Sequence, residues 1–348
     1  MIDVQGYAAM NATSPLVPFR FARRTVRRQD VLIEIRFCGI CHSDVHQARD
    51  EWGGSLFPMV PGHEIVGVVE KVGAGVTDFK VGQMVGVGCF VDSCRKCPQC
   101  KKGEEQYCEG PLTFTYNSKE RDGVTPTYGG YSTKIVVDHR YLVKIPKGLN
   151  PEQAAPLLCA GITTYSPLRR WGVGKGHRLA IIGLGGLGHM AVKIGRALGA
   201  QVTVLSHSSD KQADAKRLGA HAFYATGAPE TFAQLAKHFD FILDTVSAPH
   251  DLNAYLELLK TDGTMILVGV PDTPAQLGAF PLIMQRRRLV GSLIGGIRET
   301  QAMLNFCAKH KLGADVEVIP LQQVNEAYDR LVRGDVRYRF VIDLSSLK

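Results

Sequence analysis

Long apolar runs and segments of biased composition are both absent from this sequence, and each absence narrows the possible functions. None of the 348 residues belongs to an apolar stretch approaching the roughly 18 residues that a membrane-spanning helix needs. The stretch Met1–Gln5 also lacks the charged and then apolar pattern of a secretory signal. We therefore expect a cytoplasmic globular protein, and the length favours two domains.

The charge balance is basic, which could indicate a nucleic-acid or membrane-surface partner, but we expect neither. The net charge is +8, with 45% hydrophobic and 21% charged residues, as is typical of a soluble globular protein. The basic residues are scattered apart from clusters at 23–28 and 286–288, and neither cluster is interleaved with aromatic residues. We expect no nucleic-acid partner, whereas a basic surface near a cleft would suit an anionic cofactor.

Nine cysteines are present, and in a reducing compartment they are more typical of metal binding than of disulfides. A polar segment of fifteen residues contains four of them, Cys94, Cys97, Cys100 and Cys108. Four thiolates can close a tetrahedral shell around a structural zinc ion, and an iron–sulfur cluster is the main alternative. Cys38, Cys89 and Cys307 have apolar neighbours, and we expect them in the core.

A second candidate metal site combines residues that are distant in sequence. Cys41 follows the alternating apolar run 31–37, which predicts a half-buried strand ending at a glycine turn, and His63 follows a Pro-Gly turn. Cys159 is the best candidate for a third ligand. Three protein ligands with an open fourth position are typical of catalytic zinc. The alternative is that both cysteines are small buried hydrophobes.

Two different patterns of predicted secondary structure along the sequence indicate two domains. Residues 1–150 contain short apolar stretches broken by glycine turns, which indicates an irregular all-β body. From about residue 156, strands and helices alternate and predict a doubly wound sheet of about six strands. Its predicted strands are 177–182, 201–205, 221–224, 240–243, 264–268 and 288–294, and its predicted helices are 189–198, 229–238 and 250–260. The tail should supply helices 300–309 and 324–332 and a strand 339–342 that pack on the first domain. The predicted boundaries are 1–155 with 298–348, and 156–297.

The motif GLGGLG at 183–188 lies between a predicted strand and a predicted helix, which is the full context of a dinucleotide-binding fingerprint. Gly183 permits a tight turn, Gly185 lets the backbone approach a pyrophosphate, and Gly188 permits close packing of helix on strand. The helix N-terminus supplies free N–H groups for the phosphates. A glycine-rich turn without a ligand is the alternative.

The end of the second strand of this domain predicts the cofactor. NAD enzymes usually have an acidic residue there, hydrogen-bonded to the ribose 2′-hydroxyl, whereas Ser206 occupies the position in this chain. Neutral hydroxyls at Ser206 and Ser208 and the cation of Lys211 suit a 2′-phosphate, so we predict a preference for NADP(H). Asp210 is the counter-argument, because it could bend back to a ribose.

Together these residues resemble the zinc-dependent medium-chain alcohol dehydrogenases, and within them the cinnamyl alcohol dehydrogenase branch of NADPH-dependent aldehyde reductases. The resemblance covers essentially the whole chain and implies a β-rich GroES-like catalytic domain and a Rossmann domain. It rests on the four-cysteine segment and on GICHSDVH at 39–46, PGHE at 61–64, PLLCAGITTYSPL at 156–168, GLGGLGHMAVK at 183–193, GSLIGG at 291–296 and DVRYRFVID at 335–343.

The resemblance implies a role for each matching residue. Cys41, His63 and Cys159 would bind the catalytic zinc, with Glu64 behind it as a transient ligand and Asp44 accepting a hydrogen bond from His63. Ser43 and His46 would form a proton relay. The remaining matching residues would contact the cofactor: His42, Thr163, Gly186, Leu187, His207, Val268, Gly269, Ile294 and Arg339. Without the resemblance, His46 would be read as an ordinary surface or core histidine.

The implied activity is the interconversion of primary alcohols and aldehydes with NADP(H), on an apolar substrate of medium size. Five apolar residues are placed around the substrate by the resemblance: Trp52, Phe57, Phe114, Leu293 and Ile297. A polyol would need several converging polar groups. The alternatives are that the aromatics belong to the core, and that the chain is a zinc-free quinone reductase or a structural protein of this fold. The family also suggests a dimer through residues 289–294.

Overall fold

The computed structural model of the protein describes all of its residues except Pro229, Asp272 and Lys348. The chain divides into two compact units, which are Met1–Ile162 with Gly295–Lys348, and Thr163–Ile294. Among the described residues, no helix is both long and apolar enough to cross a bilayer.

Strands predominate in the first unit, whereas strands and helices alternate in the second. The strands are β1 Ile2–Ala9, β2 Leu16–Arg23, β3 Asp30–Gly39, β4 Ile65–Val72, β5 Met84–Val87, β6 Phe90–Asp92, β7 Thr113–Phe114, β8 Lys134–Asp138, β9 Val143–Lys144, β10 Arg178–Ile182, β11 Gln201–Ser206, β12 Ala222–Ala225, β13 Phe239–Asp244, β14 Leu259–Leu267, β15 Arg288–Gly291, β16 Val316–Pro320 and β17 Arg339–Asp343. The helices are α1 His42–Ala48, α2 Pro98–Lys102, α3 Pro151–Ala154, α4 Ala160–Arg170, α5 Gly188–Ala197, α6 Gln212–Leu218, α7 Glu230–Gln234, α8 Leu252–Leu256, α9 Phe280–Ile283, α10 Ile297–His310 and α11 Val324–Val332.

The first unit is built around a sheet with the order β16-β17-β3-β4-β5-β9, in which β8 also pairs with β3. Its strands pair antiparallel except for β16 with β17. Strand β3 is central, and one of its faces is buried through Val31, Ile33 and Ile35, whereas Glu34 and Arg36 on the other face are partly exposed. The predicted half-buried strand is therefore confirmed, although Leu32 on the second face is also buried.

The second unit contains a six-stranded sheet with the order β12-β11-β10-β13-β14-β15. Every pair in it is parallel. This order reverses beside β10, so the carboxyl ends of β10 and β13 flank the crevice where doubly wound sheets bind ligands. Phe239, Leu256 and Met265 lie in the apolar core of this unit and are fully buried. The predicted doubly wound parallel sheet is confirmed.

Two helices near the candidate zinc ligands were not predicted. Helix α1 begins directly after Cys41, where the backbone N–H of Cys41 donates to Asp44 Oδ2 (2.9 Å). Cysteine is not a preferred residue at a helix N-cap, so the sequence contains no recognisable signal for the start of this helix. Helix α4 contains Pro167 and several β-branched residues, which lower its intrinsic propensity. Its burial in the fold compensates, since most of it is inaccessible to solvent.

Two predicted helices are shorter than expected. The helix predicted at 229–238 is α7, which ends before Lys237, a non-glycine residue with φ +53°. The helix predicted at 250–260 is α8, which ends at Leu256 because β14 begins at Leu259 and pairs with Phe239. Tertiary pairing therefore overrides the helical pattern in both places.

Candidate active site

Four buried side chains converge on one point of the first unit. They are Cys41, His63, Glu64 and Cys159, and their potential ligand atoms all lie within 4.8 Å of one another. The two thiol sulfurs are 4.0 Å apart. Cys41 lies between β3 and α1, His63 and Glu64 directly precede β4, and Cys159 directly precedes α4. The fold therefore brings the predicted set together from three separate turns.

The His63 ring is held by the buried carboxylate of Asp44. Its Nδ1 lies 3.1 Å from Asp44 Oδ1, which leaves the other ring nitrogen available to a metal. Asp44 also accepts hydrogen bonds from the backbone N–H of Cys41 (2.9 Å) and of Gly62 (3.2 Å) and from the Tyr131 hydroxyl (3.0 Å). One carboxylate thus ties together the two segments that carry the first two ligands.

The electrostatics of the cluster favour a bound cation. A hydrogen bond from Cys159 lowers the pKa of Cys41 well below its usual value, and the charge of Arg339 adds to the effect. Burial raises the pKa of Glu64 to about 7, against the opposing charge of Arg339. A thiolate, a neighbouring thiol, an imidazole and a carboxyl group form a donor set that suits zinc.

Glu64 and Arg339 form a buried ion pair through Glu64 Oε1 and a terminal nitrogen of Arg339. Neither the second carboxylate oxygen of Glu64 nor Nε of Arg339 has a hydrogen-bond partner among the described residues. A buried polar atom without a partner is costly. A buried carboxylate beside two thiols and an imidazole, with one oxygen left unpaired, fits a site that holds a metal ion.

The four-cysteine segment forms a second cluster, with ligand atoms also within 4.8 Å of one another. Cys94 Sγ lies 3.8 Å from Cys100 Sγ. Backbone N–H groups point at the sulfurs, as when Cys97 donates to Cys94 Sγ at 3.3 Å. Such hydrogen bonds from the backbone lower the pKa of Cys94 to about 6. The loop therefore presents four sulfurs in the arrangement of a closed metal site.

His46 has a partner that the sequence did not reveal. Its Nδ1 pairs with a carboxylate oxygen of Glu51, and its ring stacks on Trp52 with 5.0 Å between centroids. Ser43, the inner member of the predicted relay, lies on the same helix with its Oγ 3.6 Å from Cys41 Sγ. Burial lowers the pKa of His42, the first residue of that helix. Glu51 lies five residues after His46, just beyond the helix end, so no helical periodicity could identify it.

The apolar residues predicted to surround the substrate are not core residues. Trp52 is 51% exposed, Phe114 is 44% exposed and Leu293 is 47% exposed, while Phe57 and Ile297 are partly buried. The alternative of ordinary core aromatics is therefore wrong for Trp52 and Phe114. Large exposed apolar side chains are consistent with a surface that meets a ligand.

The glycines of the second unit have the geometry that their predicted roles require. Gly183 has φ +85°, and a Cβ at Gly188 would lie 2.1 Å from the carbonyl oxygen of Gly183. A Cβ at Gly185 would meet no atom within 4 Å, so the backbone is open to a ligand there. Gly186 and Leu187 complete the turn into α5. The open position fits a pyrophosphate at the helix N-terminus.

The side chains around the end of β11 suit the binding of a ribose 2′-phosphate better than the binding of a free ribose 2′-hydroxyl. Ser206 ends the strand, and His207 and Ser208 are exposed beyond it. Lys211 donates to the carbonyl of Leu184 (3.1 Å), which holds its ammonium against the glycine turn.

Asp210, the counter-argument from the sequence, is exposed and accepts a hydrogen bond from the Ser208 hydroxyl (3.0 Å). Other predicted cofactor residues occupy three further places in the unit. Thr163 is buried, and its hydroxyl has no hydrogen-bond partner among the described residues. Val268 and Gly269 follow β14, and Ile294 has φ +32°.

Cys89 differs from the expectation that it is a core residue. Cys38 and Cys307 are fully buried, but Cys89 is partly exposed. Its Sγ lies 3.8 Å from the carbonyl oxygen of Leu158, and a hydrogen bond with Cys159 lowers its pKa. The structure therefore places a further thiol beside a candidate metal ligand, where the apolar sequence around it gave no such signal.

Comparison with known proteins identifies the family. A family model of the alcohol dehydrogenase GroES-like domain matches residues 27–147, and one of zinc-binding dehydrogenases matches residues 186–309. NADP-dependent alcohol dehydrogenase C 1 of Mycolicibacterium smegmatis is 58% identical over 349 residues, 100% of both chains. A probable mannitol dehydrogenase of Mesembryanthemum crystallinum is 50% identical over 343 residues, 98% of this chain and 94% of that one.

Among solved structures, a cinnamyl alcohol dehydrogenase of Sorghum bicolor is 46% identical and has a TM-score of 0.96, covering 99% of this chain and 98% of that one. The resemblance seen in the sequence is thereby confirmed. The chain belongs to the zinc-dependent medium-chain alcohol dehydrogenases, and within them to the cinnamyl alcohol dehydrogenase type.

Proposed function

We propose that this enzyme interconverts primary alcohols and aldehydes, aromatic or medium-length aliphatic, by hydride transfer with NADP(H). The observation that supports this most strongly is the convergence of Cys41, His63 and Cys159 with the buried carboxylate of Glu64. The same chain carries a parallel sheet with an open glycine turn. A screen of aldehydes with NADPH tests the proposal, and absence of turnover by zinc-loaded protein contradicts it.

Each residue of the first unit has one proposed task. Cys41, His63 and Cys159 hold the zinc, with Glu64 as a transient fourth ligand, and Asp44 fixes the orientation of His63. Zinc, when bound, supplies Lewis acidity toward the substrate oxygen. The hydride chemistry belongs to the nicotinamide. We therefore assign positioning and charge compensation, not bond-making, to most of the side chains.

Proton movement is assigned to Ser43 and His46. Ser43 lies beside Cys41, so its hydroxyl can accept and pass on the proton of a substrate alcohol. His46 is partly exposed and is held by Glu51 and Trp52, which suits a group that exchanges protons with water. A solvent isotope effect on alcohol oxidation that is lost in His46→Ala supports this route, and an unchanged rate in His46→Ala contradicts it.

The preference for NADP(H) is supported by what surrounds the end of β11. Ser206 stands where an acid would repel a 2′-phosphate, and the ammonium of Lys211 is fixed nearby by Leu184. His42 is assigned to the pyrophosphate, and Arg339, Thr163, Val268 and Ile294 are assigned to cofactor binding. The ratio of kcat/KM with NADPH and NADH measures the preference directly.

We propose an apolar substrate, although one similar protein carries the name of a probable mannitol dehydrogenase. The exposed Trp52, Phe114 and Leu293 offer apolar surface and no array of hydrogen-bonding groups. A polyol bound by such residues would lose its water contacts without replacement. Direct comparison of cinnamaldehyde, hexanal and glyceraldehyde as substrates, and of mannitol in the oxidative direction, tests this assignment.

Two zinc ions per chain follow from the two clusters. The four-cysteine site is assigned a structural zinc and the other cluster a catalytic zinc. Because one donor set is typical of a structural zinc site and the other of a catalytic one, metal analysis of purified protein should give about two zinc ions per chain. A protein without zinc would instead favour the quinone reductase-like alternative.

A homodimer is proposed through the edge of the six-stranded sheet. Strand β15 pairs with β14 on one side only within the described residues. Large apolar side chains near it are exposed, with Phe280 at 76% and Ile283 and Met284 at 67%. An unprotected strand edge beside apolar residues is suited to pairing with a second copy. Light scattering on the wild type and on Val290→Lys tests it, with a monomeric variant as the expected result.

We propose a location in the cytoplasm, because none of the nine cysteines forms a disulfide, which suits a reducing compartment.

A further inference from the structure

Asp44 is a fully buried carboxylate whose partners come from three different segments. Its exposure is 0%, and it accepts hydrogen bonds from two backbone N–H groups and from His63. The remaining donor is the hydroxyl of Tyr131, 3.0 Å from Asp44 Oδ2 and 87 residues away in sequence. Hydrogen bonds inside the protein offset the free-energy cost of removing a carboxylate from water. If one donor is lost, part of that cost is no longer offset. Tyr131 is therefore the one side-chain hydroxyl that completes the Asp44 shell among the described residues.

Tyr131 is itself rigidly held against the turn that carries His63. Its backbone N–H donates to the carbonyl of Pro61 (3.0 Å), and the backbone N–H of the preceding residue, Gly130, donates to the carbonyl of Gly62 (2.9 Å). The ring packs so closely under Gly62 that a Cβ there would lie 2.7 Å from Tyr131 Cδ1. The residue is 0% exposed. The backbone of this region is therefore hydrogen-bonded to the turn that carries His63, and the Tyr131 hydroxyl is hydrogen-bonded to Asp44, which holds the His63 ring.

We propose that Tyr131 is a positioning residue for the catalytic zinc, which fixes the ligand His63 through Asp44. The inference rests on the proposed zinc site and extends it to a residue that contacts neither a ligand atom nor substrate. The physical reason is that a carboxylate with all its hydrogen bonds made has one orientation, and that orientation sets the His63 ring. With the hydroxyl removed, the backbone N–H of Cys41 is the one remaining donor to Asp44 Oδ2 among the described residues, so the carboxylate that orients the imidazole is held less firmly.

The chain offers a matched control in Tyr328. This tyrosine is also buried, and its hydroxyl lies 3.5 Å from the hydroxyl of Tyr131. Removing its hydroxyl deletes a similar buried polar group from the same network and leaves the bond from Tyr131 to Asp44 in place. A difference between Tyr131→Phe and Tyr328→Phe therefore reports on Asp44, because general damage to the core would appear in both variants.

The experiment measures how fast the holoenzyme releases zinc to a chelator. The phase that belongs to the catalytic ion is identified by its absence in Cys159→Ala. We expect Tyr131→Phe to accelerate that phase by about tenfold, which is the usual scale for a group behind a metal ligand. The phase from the four-cysteine site should not change, and Tyr328→Phe should release both ions at nearly the wild-type rate.

A second measurement does not depend on release rates. Cobalt placed in the catalytic site gives visible bands that depend on ligand geometry, and these should change in Tyr131→Phe but not in Tyr328→Phe. Equal release rates and spectra in wild type and Tyr131→Phe, or equal changes in both variants, would overturn the assignment to Tyr131. A wild-type enzyme without zinc at Cys41 would instead contradict the proposed function itself, so the two failures are distinguishable.

Discussion

Arg339 and Glu64 are 275 residues apart in the chain and form an ion pair from which solvent is excluded. The pair joins strand β17 to the start of β4, directly behind the candidate zinc ligands. Burial alone would lower the pKa of Arg339, but the charges of Glu64 and Cys41 raise it above its usual value. The guanidinium is therefore charged at every physiological pH and compensates the negative charge of the cluster.

Removing one partner of this pair should be strongly destabilising. Arg339→Met leaves the Glu64 carboxylate buried beside thiols without its counter-ion, and we expect a loss of about 3–5 kcal/mol in the free energy of unfolding. Urea unfolding of the metal-free protein measures it. Arg330→Met is the control, because Arg330 pairs with Glu317 and Asp335 at the surface, where ion pairs contribute little. The double variant Arg339→Met with Glu64→Gln should recover part of the loss. Equal losses in the two single variants would contradict the argument.

The two zinc clusters should respond differently to the loss of a ligand. Cys100→Ser removes a ligand from a polar loop with no core of its own, so that loop should lose its structure and the thermal midpoint should fall. Cys159→Ala acts in a packed interior and should abolish turnover while the fold persists. Circular dichroism, zinc content and activity of the two variants distinguish these outcomes. Full activity in both would refute both assignments.

Most of the fold and the four-cysteine metal site could be predicted from short-range patterns in the sequence. Cysteine spacing determines a four-thiol loop locally, and glycine spacing determines the turn into α5, so both could be identified from a few consecutive residues. The predicted parallel sheet follows from the alternation of strands and helices. Helix ends were less accurate because pairing of β13 with β14 shortens α8.

Apart from the ligand set around Cys41, His63 and Cys159, contacts between distant segments could not be predicted. Tyr131 reaches Asp44 across 87 residues and Arg339 reaches Glu64 across 275, and no local pattern records either distance. Cys89 illustrates the same limit, since its apolar neighbours predicted a core position while the fold places it beside Cys159. Glu51 was missed for a different reason, because it meets His46 only after the chain leaves α1.

Cofactor preference should shift when an acid is placed at the end of β11. Ser206→Asp would repel a 2′-phosphate and accept a hydrogen bond from a ribose hydroxyl, so kcat/KM should fall with NADPH and rise with NADH. Asp210→Asn serves as the control, because its carboxylate accepts from Ser208 and is not assigned to the ribose. If Asp210→Asn were the variant that lost NADH activity, Asp210 and not position 206 would set the preference.

The contact between the four-cysteine loop and α10 should tolerate no side chain at Gly296. A Cβ there would lie 2.0 Å from the carbonyl oxygen of Gly103, in the loop that also places Glu105 3.2 Å from the backbone nitrogen of Ile297. We expect Gly296→Ala to lower the free energy of unfolding by roughly 1–3 kcal/mol through overpacking. Gly174→Ala should have little effect, because the nearest atom to a Cβ there would be the carbonyl oxygen of Leu198 at an ordinary contact distance of 3.5 Å. Urea titrations of both variants compare them, and equal stabilities would contradict the steric argument.

Trp52 provides the sharpest test of the substrate assignment, because it is exposed and stacks on His46 without belonging to the core. If its indole contacts substrate, Trp52→Ala should lower kcat/KM most for cinnamaldehyde, less for hexanal and least for glyceraldehyde, in the order of the apolar area lost. Trp171→Ala is the matched control, since Trp171 is the other tryptophan of the chain and stacks with Arg288 in the nucleotide-binding unit.

The pattern across substrates, and not the size of any one loss, decides the result. A uniform loss in Trp52→Ala would mean that the indole acts through His46, which it contacts, and not through the substrate. In that case imidazole added to the assay should restore part of the rate of His46→Ala, and the same addition should help Trp52→Ala. A substrate-dependent loss that imidazole does not restore assigns Trp52 to apolar recognition, because only a contact with the substrate itself can distinguish an aromatic aldehyde from a short polar one.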